Sequence, residues 1–595
     1  MSATNDFGMI KNICKISSDL LVGYKLKNID SRFSLIWCLI FGSIGIVLRF
    51  YRLGSMPLSD VEVGDALLAW LMVNGQHLSD PSWLANSSLV HFGQVILFWI
   101  TGTANPVSAR LISAICGSAL IFAPMCFARH IGKGGVHLTM AMLAVSPSLV
   151  MVSRTADGIA IALICLVIAL AGVERAVNGN GSDGISLIIL GVILGITCGR
   201  SFTIPLLLVV FILMRNSDVA KRLLLTFRAS FLTSTATCIV AVLLVSTTFF
   251  GYRYGFMAMG ESWVQWISGW SPYTRMRSVL LIPEISLSNQ PLLMLLSVVG
   301  CGIALRGRSI ERTMSIILVC GLLYGLVYSE VQSTDVVWVI IPLFVLCARV
   351  ALGAFQGVWS AEELFVIAIQ GAVLGSLMVF GYFLFGGLVL VSNIDSNDVE
   401  NHMRVQALIL LGMMMLVVSL FSVGWSWKVS KAGVIMVILV VSMFWSVHRS
   451  WNLIRFPNNG YVTNWYTVWP TGTGNLMLET LEKLSLRFVG QSREVDITVI
   501  SPYNRQLAWR LREFSNVEWN DNTILLESPS VIITSSHELS IGAGSGYIGQ
   551  EFRISDSFGN DRDILVRRNE YSKASSVNTG LDKLVIWARQ GDASP

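Results

Sequence analysis

Long runs of apolar residues follow one another along the first 450 residues of the chain. Each run is close to the ~20 residues that an α-helix needs to cross the hydrocarbon core of a bilayer, with flanking residues extending the shorter ones. The pattern predicts an α-helical polytopic membrane domain over residues 34–450, with about thirteen transmembrane helices. The predicted spans are residues 34–50, 107–129, 137–152, 156–177, 184–199, 201–214, 229–250, 291–305, 313–329, 336–350, 363–391, 403–424 and 431–448.

Residues 89–101 form a shorter apolar segment that decides the orientation of the chain. If this segment crossed the membrane, the basic residues Arg129, His130 and Lys133 would lie outside. As a re-entrant or interfacial helix, it leaves almost all the basic loops on one side, which the positive-inside rule assigns to the cytoplasm. The sequence therefore predicts a cytoplasmic N-terminal segment, 1–33, and a large first outer loop, 51–106.

The pattern changes after residue 450. Charged residues make up 30 of the 145 residues in 451–595, against 49 of the 450 before them. Helical stretches alternate with short β-branched runs, which is typical of an α/β domain. A C-terminal soluble α/β domain on the extracytoplasmic side is predicted, with helices at 475–488 and 505–514 and strands at 495–500, 524–526, 531–534, 564–566 and 584–588.

Composition narrows the class of protein. The chain is 53% hydrophobic and 13% charged, with a net charge of +5. These values favour a multi-pass protein of the cell membrane, with the lipid bilayer as a partner. The net charge is too small to indicate a nucleic-acid partner. We find no GxGxxG motif after a strand and no GxxxxGK[ST] motif, so a nucleotide site is not predicted. The cysteines lie outside the C-terminal domain, which therefore needs its own hydrophobic core.

Carboxylates in two outer segments are the first candidates for chemistry. Asp60 and Glu62 lie at the predicted start of a helix in the first outer loop, where carboxylates cap backbone N–H groups and are stabilised by the helix dipole. A partly desolvated carboxylate there can instead act as a general base or bind a metal. Arg154 and Asp157 lie in the short turn SRTADG at 153–158 and are equally compatible with an anchor, a helix cap or a shared acidic pocket with Asp60.

Arginines are the candidates for binding an anion. Arg253, Arg275 and Arg277 lie in an outer segment rich in tryptophan and can bind a phosphate or anionic lipid headgroups. Arg200 lies between two short apolar runs, where it can extend to the membrane surface or face a polar cavity. The histidines show no HxxxH or HExxH spacing, so the cofactor stays unknown, with a divalent metal ion on the carboxylates as one option.

Four blocks in the first 160 residues carry a family resemblance. In order, they are LRFYRLGSMPLSDVEVGDALLAW (48–70), SSLVHFGQVILFWITG (87–102), ARLISAICGSALIFAPMCFARHIG (109–132) and LAVSPSLVMVSRTADG (143–158). This order resembles the N-terminal half of membrane glycosyltransferases of the GT-C superfamily, especially the protein O-mannosyltransferase and aminoarabinose-transferase branch. The resemblance covers about residues 34–250.

The resemblance implies an inverting transferase that moves a sugar from a polyprenyl-phosphate carrier to an acceptor hydroxyl on the outer face. It implies a catalytic base in the first outer loop, at Asp60 or its competitor Glu62, and a second acid at Asp157. The family usually has adjacent Asp and Glu at the first position, whereas this chain has Asp60-Val61-Glu62. His91 lies in the donor-recognition segment, where Ser87–His91 replace the basic residue and paired prolines of many relatives. The acceptor can be a lipid, a glycan or a protein.

Two other functions remain as alternatives. A catalytically silent relative would act as a subunit of a membrane assembly with protein partners, and its Asp60 and Glu62 would not face a cavity. A transporter or flippase would place ionisable residues and broken helices at mid-span, often in repeated halves. The sequence has one obvious break of this kind, at Gly199-Arg200-Ser201, and no evident internal repeat.

Overall fold

Helices make up most of the computed structural model. It describes residues 31–75, 85–177, 181–229, 231–270, 281–304, 309–356, 359–391, 396–455, 471–500, 503–520, 529–535, 546–553 and 583–590. The helices before residue 456 are α1 (Ser31–Phe50), α2 (Asp60–Val73), α3 (Ser88–Thr101), α4 (Pro106–Leu120), α5 (Ala128–Ile131), α6 (Lys133–Val145), α7 (Pro147–Ser153), α8 (Ile159–Val177), α9 (Gly181–Ile196), α10 (Thr203–Arg215), α11 (Ser217–Ala229), α12 (Phe231–Ser246), α13 (Gly255–Ser268), α14 (Leu281–Asn289), α15 (Pro291–Ala304), α16 (Ser309–Val327), α17 (Val337–Ala354), α18 (Ala361–Val391), α19 (Ser396–Gly424) and α20 (Trp427–Arg455).

Several of these helices are long and apolar enough to cross a membrane. Within the described residues six helices qualify, or up to nine if each of three bent helix pairs counts as one span. The molecule is therefore a mostly helical, multi-pass membrane protein. The count of thirteen spans remains a prediction.

Two of the bent pairs meet at their breaks. The α6–α7 pair bends by 63° at Ser146, and the α14–α15 pair bends by 108° at Gln290. A proline follows each of these residues, and proline disfavours a helical conformation in the residue before it. The side-chain amide of Gln290 donates to the Ser146 hydroxyl at 3.0 Å, and both side chains are buried. One hydrogen bond thus joins the two breaks.

Helix α17 lies in the centre of the helical body. Val337, Ile340, Phe344 and Cys347 along its length are buried in the largest hydrophobic cluster of the described residues. The apolar window of α19, in contrast, has no buried residue, which is what a helix in contact with lipid requires. The protein core therefore follows α17, and α19 lies at the periphery.

The C-terminal domain is a small mixed α/β domain. It consists of α21 (Thr471–Phe488), β1 (Ile497–Ile500), α22 (Arg505–Leu511), β2 (Val517–Asn520), β3 (Val531–Ser535), β4 (Tyr547–Arg553) and β5 (Lys583–Arg589). The strand order is β2-β1-β3-β5-β4. Strand β1 pairs in parallel with β2 and β3, whereas β5 pairs in antiparallel with β3 and β4.

The sequence located part of this domain. Both predicted helices and the strands at 495–500, 531–534 and 584–588 have counterparts, whereas 524–526 and 564–566 lie outside the described residues. Strands β2 and β4 were not predicted, because VEWN and YIGQEFR mix charged, polar and glycine residues with few β-branched ones. Both are edge strands, where one side of the backbone needs no partner and polar residues are tolerated.

Helix α22 docks the C-terminal domain onto segment 51–106, the predicted first outer loop. Gln506 donates its side-chain amide to the Leu58 carbonyl at 3.0 Å, and Arg512 donates to the Ala104 carbonyl at 2.8 Å. Between them, the Trp509 side chain is buried in a cluster that includes Leu67 of α2. The segment that begins α2 is therefore held from the side of the C-terminal domain.

Candidate functional site

Glu62 lies in the first turn of α2 and is fully buried. Its Oε2 accepts the Ser59 N–H at 2.8 Å, which helps close a capping box, and its Oε1 accepts the Ala156 N–H at 2.8 Å. Arg110 binds both oxygens, with Nε 2.7 Å from Oε1 and Nη2 2.6 Å from Oε2. We call these contacts the Glu62 clamp. They tie the predicted first outer loop to the turn that follows α7.

The clamp also sets the protonation state of Glu62. Burial alone would raise the pKa of this carboxyl, but the charge and hydrogen bonds of Arg110, with the N–H groups of Ser59 and Ala156, hold the pKa below its ordinary value. A weakly basic carboxylate with both oxygens occupied is poorly suited to take a proton from a substrate. The geometry therefore favours a structural role for Glu62 and leaves Asp60 as the stronger candidate for a base.

Arg154 is buried at the end of α1. Its Nη1 donates to the carbonyls of Arg49 and Tyr51 at 3.0 and 2.8 Å, and its Nη2 donates to the Arg52 carbonyl at 2.9 Å. A guanidinium in this position satisfies carbonyls that the end of a helix leaves without partners. These contacts favour an anchoring role for Arg154 over substrate binding.

Asp157 lies at the other end of the same turn and has fewer partners. Its Oδ1 accepts the Ile159 N–H at 3.1 Å. Its Oδ2 has no well-aligned hydrogen bond within the described residues, although the Thr334 hydroxyl lies close to the carboxylate. Burial raises the pKa of Asp157 to about 6, and the negative charges of Glu62 and Asp335 add to this effect.

Asp335 and Arg200 bring opposite charges to the same region. Asp335 lies in a short 3₁₀ turn, Ser333–Val336, directly before α17, and its Oδ2 accepts the Gln332 N–H at 2.9 Å. Arg200 donates to the Glu330 carbonyl at 2.7 Å and is close enough to Asp335 to act on it electrostatically. We call Asp157, Arg200, Thr334 and Asp335 the outer polar cluster, after the side of the membrane on which the sequence predicts it to lie.

Four aromatic side chains stand beside the outer polar cluster, and we call them the aromatic wall. The rings of Tyr324 and Tyr328 stack with centroids 4.9 Å apart, while Trp266 and Trp270 lie 6.3 and 5.4 Å from the Tyr328 ring. The Arg200 guanidinium lies 5.9 Å from the centre of the Tyr328 ring. The wall combines flat apolar faces with hydroxyl and indole N–H groups at their edges.

His91 is fully buried and contacts a different set of polar residues. Its Nδ1 lies 3.4 Å from the Asp65 carbonyl, and its ring packs against Tyr252 with centroids 5.0 Å apart. Asp65 Oδ1 accepts the Asn86 N–H at 2.6 Å, and burial raises the pKa of Asp65 to about 7. Burial also raises the pKa of Tyr252 to about 12. These residues form a second buried polar group beneath α22.

The remaining candidates are placed less completely. Asp60 is the first residue of α2, but its side chain lies outside the described part of the structure, as do all atoms of Arg275 and Arg277. Arg253 is exposed beside Tyr252. The Glu62 carboxylate nevertheless accepts one hydrogen bond from the Ser59 N–H and one from the Ala156 N–H. Ser59 directly precedes Asp60, and Ala156 directly precedes Asp157, so the clamp brings these two stretches of backbone close together.

A metal ion needs several ligands in one place. Among the described side chains, no three His, Cys, Asp or Glu residues come together in an arrangement that would hold a metal. Asp157 and Asp335 contribute two neighbouring carboxylates, and the Asp60 side chain is not described. The described residues therefore do not make a complete ligand set.

Sequence reasoning missed Thr334, Asp335, Tyr324 and Tyr328. The predicted span began at residue 336, so Asp335 was treated as part of a loop. A carboxylate at the edge of a strongly apolar span is itself a signal, because burying it at the membrane is costly unless it has a function. The tyrosines carried no such signal, since aromatic residues at span ends are common at membrane interfaces.

Comparison with known proteins gives matches in structure only. No protein-family model matches the chain, and no curated protein sequence matches it. A crystal structure of ArnT from Cupriavidus metallidurans in the apo state matches with a TM-score of 0.53 and 13% identity, covering 94% of this chain and 99% of ArnT. The same ArnT bound to undecaprenyl phosphate matches with a TM-score of 0.52 and 12% identity, with the same coverage.

These matches define the fold. At 12–13% identity they show the fold alone, which is that of a mostly helical, multi-pass membrane protein. The particular fold is that of ArnT, shared over nearly the whole length of both chains. The likeness includes the C-terminal region, for which the sequence blocks gave no indication.

Proposed function

We propose that this protein is a glycosyltransferase that moves a sugar from a polyprenyl-phosphate carrier to an acceptor hydroxyl on the outer face of the membrane. The observation that carries the proposal is the outer polar cluster, where Asp157, Arg200 and Asp335 lie beside the aromatic wall in a fold shared with ArnT. Arg200 lies at the start of an apolar helix beside the buried Asp335, and charged groups at such a position are costly unless they have a function. The complex of ArnT with undecaprenyl phosphate supports a lipid-linked donor.

The reaction is a single displacement at the anomeric carbon. The acceptor oxygen forms a bond to that carbon while the bond to the carrier phosphate breaks, so the configuration inverts. Asp60 takes the proton of the acceptor hydroxyl, because Glu62 is occupied in its clamp. The phosphate already present on the carrier is the leaving group, so the reaction needs no nucleotide.

Each other group has an assigned role. Arg200 binds the carrier phosphate and stabilises the negative charge that develops as it leaves, since guanidinium and phosphate form strong charge-assisted hydrogen bonds. Asp157 orients the acceptor hydroxyl with its available oxygen. The aromatic wall covers the apolar face of the sugar and excludes water. Glu62 and Arg154 hold these groups in place and do not touch the substrates.

The decisive experiment tests the role of each carboxylate in sugar transfer separately. Asp60→Asn, Asp157→Asn and Glu62→Gln are purified and incubated with undecaprenyl-phosphate sugars and an acceptor extract, and transfer of radiolabelled sugar is measured. We expect Asp60→Asn to lose at least ~100-fold in rate with normal folding, the usual size of a general-base effect. Asp218→Asn is the control, because Asp218 is exposed in the first turn of α11, and the whole of α10 separates it from Arg200 of the outer polar cluster.

The runner-up is a catalytically silent relative that acts as a subunit of a membrane assembly. The observation that favours it is the Glu62 clamp, because one of the two first-loop carboxylates does not face a cavity. If no undecaprenyl-phosphate sugar supports transfer by the wild-type protein, or if Asp60→Asn, Asp157→Asn and Arg200→Gln all transfer sugar at the wild-type rate, the proposed mechanism is wrong. Inactive wild-type protein that still binds undecaprenyl phosphate would favour the silent relative.

A further inference from the structure

A cavity of about 590 Å³ lies at the end of the helical body opposite the outer polar cluster. Its lining comes from the last turns of α15 and α17 and the first turns of α16 and α20. Arg349, in this lining, is 14 residues after Asp335, which places it roughly 20 Å along the axis of α17. The cavity is therefore separate from the site proposed for sugar transfer.

The polar lining carries one positive charge in excess. Arg349 donates Nε and Nη2 to Glu311 Oε1 at 2.8 and 2.5 Å, so these two opposite charges are paired. Lys431 also lines the cavity, and within the described residues it makes no ion pair or hydrogen bond. Gln356 adds an amide that can donate hydrogen bonds. Such a lining favours an anion over a cation.

The rest of the lining is apolar. Ile303, Leu346 and Val350 form one wall of the cavity, and Gly353 leaves open space, because an added Cβ there would meet no atom within 4 Å. The volume falls within the range of roughly 300–1,000 Å³ that is typical of ligand sites. A cavity with a cationic mouth and an apolar wall, at the ends of membrane helices, matches an amphiphile with an anionic head.

We propose that this cavity binds the headgroup of an anionic glycerophospholipid. The phosphate interacts with Lys431 and with the amide of Gln356, while the glycerol and the start of the acyl chains lie on the apolar wall. In the orientation predicted by the positive-inside rule this end faces the cytoplasmic leaflet, whose anionic lipids attract basic residues near the membrane surface. A bound lipid would fill the space between α15, α16, α17 and α20.

Native mass spectrometry of the full-length protein in detergent tests this proposal. The protein is titrated with phosphatidylglycerol and with phosphatidylcholine of the same acyl chains, and the Kd of the tightest bound lipid is measured. We expect a several-fold preference for phosphatidylglycerol in the wild type. Lys431→Gln is expected to weaken phosphatidylglycerol binding about fivefold, the usual effect of one cation near an anionic headgroup. Gly353→Leu is expected to weaken both lipids by filling the cavity.

Two matched variants serve as controls. Lys428→Gln removes a charge from the same helix turn, but Lys428 lies over the Trp359 ring and does not line the cavity. Gly302→Leu adds the same side chain to α15 at another position with open space. Equal affinity for the two lipids, or wild-type binding by both Lys431→Gln and Gly353→Leu, would overturn the proposal. Competition by millimolar inorganic phosphate would also overturn it, because the site would then recognise free phosphate and not a lipid.

Discussion

The Glu62 clamp and the outer polar cluster both bury carboxylates near the same turn, but they differ in how many hydrogen-bond partners each carboxylate has. Glu62 has a bidentate arginine and two backbone N–H groups, whereas Asp157 has one backbone N–H and a nearby hydroxyl. The pKa of Glu62 lies below its ordinary value, and the pKa of Asp157 is raised to about 6. A carboxylate with full partners maintains structure, and one with spare capacity can interact with a substrate.

Removing the charge of Glu62 tests the structural half of this comparison and has the largest expected effect. Glu62→Gln leaves Arg110 buried without its counter-charge, which typically costs about 3–5 kcal/mol of unfolding free energy. Chemical denaturation followed by tryptophan fluorescence measures the loss. Asp157→Asn is the contrasting variant and should not lose stability. A Glu62→Gln protein within about 1 kcal/mol of wild type would mean that the clamp is not what holds the loop.

Replacing Arg200 tests the other side of the comparison, the functional role proposed for the outer polar cluster. Arg200→Gln removes the cation of the outer polar cluster, and the loss of a charged hydrogen bond should weaken binding of undecaprenyl phosphate roughly 10- to 100-fold. Binding is measured with the purified protein by fluorescence quenching. Arg253→Gln is the matched control, because Arg253 is exposed and the structure does not bring it into the cluster. Equal losses in both variants would place the phosphate elsewhere.

The pH dependence of Asp157 gives a third test, with a defined sign. Its pKa is raised on folding to about 6, so the folded protein favours the protonated form. The stability contributed by protonation is complete below the unfolded pKa of about 4 and is lost as pH rises through about 6. Asp157→Asn should therefore raise Tm at pH 8 and change it much less at pH 4. The reverse order would show that Asp157 has a cationic partner like that of Glu62.

The smallest expected effect comes from the C-terminal domain. Gln506→Ala removes one hydrogen bond to the Leu58 carbonyl, which is typically worth about 0.5–1.5 kcal/mol. Hydrogen exchange at the start of α2 should rise, with little change in the rest of the helical body. Gln550→Ala, on the exposed face of β4, is the control and should leave that exchange unchanged. No change in Gln506→Ala would mean that the clamp alone holds the start of α2.

The sequence was sufficient for the class of fold because apolar length and charge bias report directly on membrane crossing. It also brought forward Asp60, Glu62 and Asp157, since carboxylates are rare in the membrane domain. It could not distinguish Glu62 from Asp60, because the partner that occupies Glu62 is Arg110, 48 residues away. It missed Asp335 for a similar reason, since its neighbour Arg200 is brought beside it only by helix packing.

The hydrogen bond between Ser146 and Gln290 has a consequence for how the protein is made. It joins residues 144 positions apart. Helix α7, which follows Ser146, has only 7 residues, and helix α14, which precedes Gln290, has only 9. Neither is long enough to remain in a bilayer as an independent span. A ribosome must therefore translate past residue 290 before the first break can acquire its partner. Until then, the first break has only its local hydrogen bonds, in which the Ser146 hydroxyl accepts the Leu149 N–H and the Ser146 N–H donates to the Met142 carbonyl.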